Sequence, residues 1–188
     1  GMGEVRPHPI YDDFPEKRVG FIGSVAYWVD LDLIAFLAEK RPDYQFIFVG
    51  PVGVKVSSVS GFKNVHFIGR YPFNQLPGLI AGFDVCINPY ILDGVAAGCS
   101  PLKLYEYLAS GKPIVSVRMP EAEQFADLVF IGDGNQGMLE KLDEAMSMGA
   151  ERLSTLAQKQ VAASAAHGWD SRFAKTKEAL ADLLYETI

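Results

Sequence analysis

Six short segments of the chain are apolar at consecutive positions rather than at every second one: RVGFIG (18–23), QFIFVG (45–50), VHFIG (65–69), DVCINPY (84–90), PIVSV (113–117) and LVFIG (128–132). Strands of this kind have both faces covered, the pattern of a parallel sheet between two layers of helices. Segments of helical periodicity lie between them. The first, DLDLIAFLAEKRP (30–42), has Asp30 placed as N-cap, Leu31, Ile34, Leu37 and Ala38 on one face, and Pro42 as its stop. FNQLPGLIAGF (73–83), PLKLYEYLASG (101–111), EAEQFAD (121–127) and GMLEKLDEAMSM (137–148) follow. From Glu151 onward the chain reads as helix, its last segment placing Trp169, Phe173, Leu180 and Leu184 on one face.

This alternation predicts an α/β domain, a Rossmann-like, doubly wound, parallel six-stranded sheet ordered 3-2-1-4-5-6 and finished by C-terminal helices. Ligands of such sheets bind beyond the carboxyl ends of the strands, where strands 1 and 4 diverge. The loops there are Gly23-Ser24-Val25 after strand 1 and residues 88–100 after strand 4, flanked by Gly50-Pro51 and Gly69-Arg70.

A chain of 188 residues suffices for one core of this type. Residues 1–17 carry Pro7, Pro9 and Pro15 without periodicity and read as an extended segment, a tag remnant followed by an interdomain linker, with the domain spanning 18–188. Seventeen basic against 23 acidic residues give a net charge of −6, which argues against a dedicated nucleic-acid binder and confines any basic site to a local patch. No apolar run approaches the ~20 residues of a membrane-spanning helix and no signal-peptide layout is present, so the expected location is cytoplasmic. Cys86, in an apolar strand, and Cys99, in a loop, form no disulfide framework. His8, His66 and His167 fall in unrelated segments, and no metal is expected.

The segment richest in chemistry is SPLKLYEYLASGKPIV (100–115). Ser100 suits a helix cap, Pro101 the first helical position and Gly111 the end. A helix that begins at the crevice turns its free N–H groups, near Leu102 and Lys103, toward any phosphate placed there. Leu102, Leu104, Tyr105, Tyr107, Leu108 and Ala109 need burial, which leaves Lys103 and Glu106 as the only charges, on one face by their i, i+3 spacing. On a solvated stripe the two would form a surface ion pair worth little. At a crevice Lys103 supplies a cation for a diphosphate, and Glu106 a carboxylate that accepts hydrogen bonds from both ribose hydroxyls.

From about Arg18 to its end the chain resembles the C-terminal, donor-binding half of GT-B glycosyltransferases, in particular bacterial retaining enzymes that build exopolysaccharides and related cell-surface glycans. The resemblance rests on RVGFIGS, VHFIGR, DVCINPY, PLKLYEYLASGKPIVS and HGWDSRF. It implies a domain that binds a nucleotide-diphosphate sugar, UDP- or GDP-linked, with no metal or other cofactor, for transfer to a glycan or lipid-linked acceptor. A separate N-terminal domain would bind the acceptor and commonly supply a catalytic or positioning residue. Such a domain does not fit within this chain, so the chain alone is expected to be inactive; through that domain the whole protein would lie peripherally at the inner membrane face. By the same resemblance Glu106 binds the donor ribose and Lys103 the diphosphate. The Gly23-Ser24 turn passes close to the phosphates, Ser100, Pro101 and Leu102 open the phosphate-binding helix, and the loops at Gly50 and Arg70 border the base.

Two departures from the family pattern bear on chemistry. Gly98 stands eight residues before Glu106, where many members carry a glutamate that touches the transferred sugar. SVAYWVD (24–30) stands where many place an arginine and a lysine. Lys103 then carries more of the phosphate charge. Asp93, in ILDGVAAGC, is the candidate stand-in for the missing carboxylate, and the catalytic residue is otherwise unassigned.

Other signals point away from chemistry or stay open. Asp30-Leu31-Asp32 matches the D-x-D of metal-dependent glycosyltransferases, yet at a helix start it reads as a cap followed by a dipole-favoured acid. Tyr27, Trp28, Tyr71 and Phe73 near strand ends either stack a base or pack against the core or a neighbouring domain. VGFIGS lacks the G-x-G-x-x-G spacing, and strand 2 ends in FVGP without a ribose-binding acid, which argues against a nicotinamide dehydrogenase. A sugar-nucleotide epimerase or a non-catalytic nucleotide-binding module would use the same crevice.

Overall fold

The computed structural model describes residues 5–92 and 102–167. Six parallel strands, β1 (Arg18–Ile22), β2 (Gln45–Val49), β3 (Val65–Gly69), β4 (Val85–Asn88), β5 (Ile114–Val117) and β6 (Phe130–Gly132), lie in the predicted order β3-β2-β1-β4-β5-β6. Helices α1 (Leu31–Lys40) and α5 (Gly134–Met146) pack together, as do α2 (Leu76–Ala81), α3 (Leu102–Ser110) and the long α6 (Ala150–Ala166). The single turn α4 (Pro120–Glu123) links β5 to β6. Asp93, Cys99, Ser100 and Pro101, and the closing segment with Trp169, Phe173, Leu180 and Leu184, lie outside the described residues.

The apolar runs explain the order of burial. Phe21, Phe46, Ile47, Phe48, Ile87, Ile114 and Val115 are fully buried in the central strands, sandwiched by the helices as a parallel sheet requires. Gly20 permits one of these contacts: a Cβ there would sit 2.1 Å from the Phe83 ring, so only a residue without one lets that ring lie on β1. Asp30 caps α1 as expected, its side chain accepting from the Leu33 N–H at 2.8 Å.

Two expectations are corrected. Residues 8–14 are not extended: Pro9–Asp13 form a 3-10 turn that docks on α2. The His8 N–H donates to the Gly78 carbonyl, Tyr11 is buried with its ring against Gly82, and the Arg18 guanidinium donates to the carbonyls of Phe14 and Gly82. A proline-rich segment folds back here because Tyr11 brings more apolar surface than a solvated linker would expose. The burial pattern of α3 also differs. Leu104, Tyr107 and Leu108 are buried, but Leu102 is 53% exposed and Ala109 faces solvent, while Lys103 turns inward.

The Tyr107 hydroxyl accepts the Ile22 N–H at 2.8 Å, linking the middle of α3 to the last residue of β1 in a fully buried setting. Tyr107→Phe keeps the ring and orphans that N–H, so urea unfolding should show a loss of about 1–3 kcal/mol. A loss within error of zero would mean that Ile22 has another acceptor.

Candidate functional site

Three glycines shape the carboxyl edge of the first three strands. Gly23, Gly50 and Gly69 have φ of 138°, 142° and 79°, the left-handed side that favours glycine. The Gly23 N–H donates to the Val49 carbonyl and the Gly50 N–H to the Gly69 carbonyl, both at 2.8 Å. A Cβ on Gly50 would lie 2.1 Å from the Gly23 carbonyl oxygen, so the turns after β1 and β2 touch backbone to backbone. Ser24, which follows Gly23, and Arg70, the residue after β3, are exposed on this rim.

Lys103 reaches the rim from the start of α3. Its ammonium lies 4.2 Å from the centre of the Phe21 ring and 5.1 Å from that of Tyr90, both in cation–π range. A Cβ on Gly23 would come within 2.6 Å of it. Among the described residues no carboxylate is within ion-pairing distance of this amine. Burial among rings disfavours its charge, the nearby Glu106 only partly opposes this, and the amine is brought down to about 8. The surface ion pair that the i, i+3 spacing allows is therefore not formed. Glu106 is half-buried on the same helix, one turn beyond Lys103.

Asn88 was not among the residues singled out from sequence. It ends β4 at 0% exposure, and among the described residues neither its amide nitrogen nor its oxygen has a hydrogen-bond partner. By the pleat it shares a face with Cys86. The signal was present in DVCINPY, where one amide interrupts an apolar run, since a polar residue in a doubly covered strand requires a reason.

The remaining candidates have structural roles. His8 accepts the Ile10 N–H, His66 pairs with Gln45, and His167 closes α6 against the Ala163 carbonyl. Tyr71 packs edge-on against His8. Cys86 is buried, which pushes its thiol well above the ordinary range. Among the described residues no three histidine, cysteine or acidic side chains are grouped to hold a metal ion.

A hollow of about 220 Å³ adjoins the crevice at the ends of β4 to β6, lined in part by Asp30, Tyr90, Ile91, Val117 and Arg118. The cationic head of Arg118 is occupied by Asp133 and Glu123. Two larger hollows lie elsewhere, one between β6 and α6, the other at the amino end of the sheet. In the first, Lys141 and Arg152 both pair with Glu144, and at the second Lys17 pairs with Asp43. Lys103 differs from these in lying against two rings with no ion-pair partner among the described residues.

Residues 16–159 match the family described as Glycosyl transferases group 1. The chain is 31% identical over 110 residues to TuaH of Bacillus subtilis (strain 168), named as a teichuronic acid biosynthesis glycosyltransferase; the match covers 56% of this chain and 28% of TuaH. HepE of Anabaena, solved with UDP and glucose, is 18% identical at a TM-score of 0.65, over 90% of this chain and 48% of HepE. A TarM variant of S. aureus, solved with UDP among its ligands, is 14% identical at 0.69, over 87% of this chain and 34% of TarM. The α,α-trehalose 6-phosphate synthase of Burkholderia multivorans is 15% identical at 0.69, over 92% of this chain and 44% of the synthase. The chain thus spans less than half the length of each of these proteins. Among its described residues no helix is long and apolar enough to cross a membrane.

Two expectations follow for the unliganded protein. Between the amine's folded value of about 8 and its unfolded value near 10.5, the unfolded chain holds more protons, so stability from this group rises with pH across that window. Urea unfolding should find Lys103→Met more stable than the parent near pH 7, with the gap narrowing toward about pH 9.5; a gap independent of pH would contradict the buried ammonium. Asn88→Leu removes an unsatisfied buried amide and should add about 1–3 kcal/mol. A destabilised Leu variant would show instead that the amide is already paired.

Proposed function

The chain belongs to the group 1 glycosyl transferases, and from that premise we propose that it is the donor-binding half of a two-domain GT-B enzyme that transfers sugar from a UDP- or GDP-sugar to a glycan or lipid-linked acceptor. The observation that carries the reading is Lys103, an ammonium buried on two aromatic faces beside a glycine turn and left without an anion among the described residues. A diphosphate supplies the missing charge. It would lie over the Gly23-Ser24 turn at the start of α3, where Leu102 begins the helix and the first-turn N–H groups that a helix leaves without partners of its own would meet it, with Ser100 and Pro101, which precede Leu102 in sequence, as the further donor contacts proposed. Glu106, one turn along, then takes the ribose hydroxyls, and the Gly50 and Arg70 turns flank the base.

Transfer requires the diphosphate to leave as its negative charge grows. An ammonium in a site of low dielectric stabilises that charge more than it would in water, because no solvent must reorient. As the anion arrives the amine is held protonated, so the fraction neutral near pH 8 takes up a proton on binding. No step in this account requires a metal. The acceptor, and a catalytic group if Asp93 does not serve, would come from a domain that the longer relatives have room for, with the enzyme working in the cytoplasm, peripherally at the membrane face. The share of each relative that this chain spans supports that division.

Calorimetric titration with UDP, GDP and ADP tests the reading. One uridine or guanosine diphosphate should bind, and Lys103→Ala and Glu106→Ala should each weaken it about ten-fold or more. Equal binding by the parent and both variants would sink the assignment. Sugar transfer by this chain alone would overturn the division of labour, and release of an isomerised donor would favour an epimerase.

A further inference from the structure

The loop from β1 to α1 carries an aromatic pair that no contact among the described residues buries. Tyr27 is 62% exposed and Trp28 36%, their rings meeting edge to face at 4.9 Å. The loop that holds them is pinned at both ends. Val25 exchanges backbone hydrogen bonds with Pro51 and Gly53, and on the far side the Ile91 N–H donates to the Trp28 carbonyl while the Asp30 N–H donates to that of Pro89. Val29, between the latter two, bridges to Tyr90. Tyr90 is the residue whose ring carries the Lys103 ammonium at 5.1 Å. Trp28 is thus one residue from a backbone bridge to a group that touches the cation.

We propose that Tyr27 and Trp28 form a stacking platform for the pyranose ring of the nucleotide-sugar donor. The proposal rests on the donor reading of Lys103 and goes further, by assigning where the sugar lies. A diphosphate at the ammonium holds its sugar through a single glycosidic oxygen, so the ring must fall on the rim beside Lys103. The Tyr90 ring borders the ammonium there, and the loop paired to Tyr90 through its backbone carries Tyr27 and Trp28. Pyranose rings present faces of polarised C–H groups, and the negative face of an indole or phenol ring attracts them while apolar area leaves water. Aromatic side chains give this contact at low entropic cost when their backbone is already fixed, as it is here. The exposed Ile91 and Leu92 extend the same apolar border.

Trp28 is one of two tryptophans, so Trp169→Phe leaves it as the sole indole reporter. In that background UDP and GDP, and UDP-glucose, UDP-N-acetylglucosamine and GDP-mannose, are titrated by calorimetry and by tryptophan emission. The platform predicts that at least one sugar-bearing donor shifts the emission while its parent diphosphate does not. Trp28→Ala should weaken that donor about five-fold and leave the diphosphate within about two-fold, with Trp28→Phe keeping most of the affinity and Tyr27→Ala intermediate. An unchanged ratio of donor to diphosphate affinity in Trp28→Ala, with both still binding, overturns the platform and leaves the donor site standing. Failure of the Trp169→Phe chain and its parent to bind any of these ligands overturns both.

Discussion

The hydrogen bond from the Ile22 N–H to the Tyr107 hydroxyl is the joint on which the carboxyl edge of this sheet depends. Ile22 closes the central strand, and β1 pairs with β2 on one side and β4 on the other. Tyr107 lies one helical turn beyond Lys103, so both project from the same face of α3. One fixes the helix to the strand and the other extends along it to the turn that follows. A helix held only by its leucines could slide by a fraction of a turn; a buried donor with one acceptor does not tolerate that.

The joint explains an inversion that hydropathy alone would not produce. At the start of α3 the leucine is out and the lysine is in. Burying an amine on two rings costs solvation, and that burial, only partly opposed by the Glu106 charge, lowers the affinity of Lys103 for its proton. An acidic chain can in this way keep one concentrated positive site, since among the described residues no carboxylate is within ion-pairing distance of it. Other cations, such as Arg118 and Lys141, are neutralised at the surface by acids within hydrogen-bonding distance.

Strand order and the Asp30 cap were legible because each rests on local, periodic signals: runs apolar on both faces, and an acid immediately ahead of the first residue of the buried stripe. Lys103 and Gly23 were legible as types, but their contact is not a local property, since 80 residues separate them. The docking of Tyr11 was hidden for the same reason, as its receptor is the surface around Gly82 and Phe83, which only the folded α2 creates. Asn88 was visible and unread, an amide in an apolar strand whose cost emerges only once both faces are seen to be covered. The aromatic pair remained open between roles because exposure is set by what the neighbouring loops do, and hydropathy is blind to that.

The contact between Gly50 and the Gly23 carbonyl has a bearing on how such sites diversify. Three turns share one hydrogen-bonded edge, with the second wedged against the first and tied to the third. They are therefore inherited mechanically as a unit. A turn grafted alone from a relative with different ligand preference would arrive with a backbone path its neighbours do not fit, whereas all three exchanged together would bring their own mutual spacing. Recombination between such domains should succeed at boundaries inside the helices and fail between adjacent turns, so the grain of the sheet edge sets the unit in which specificity can be traded.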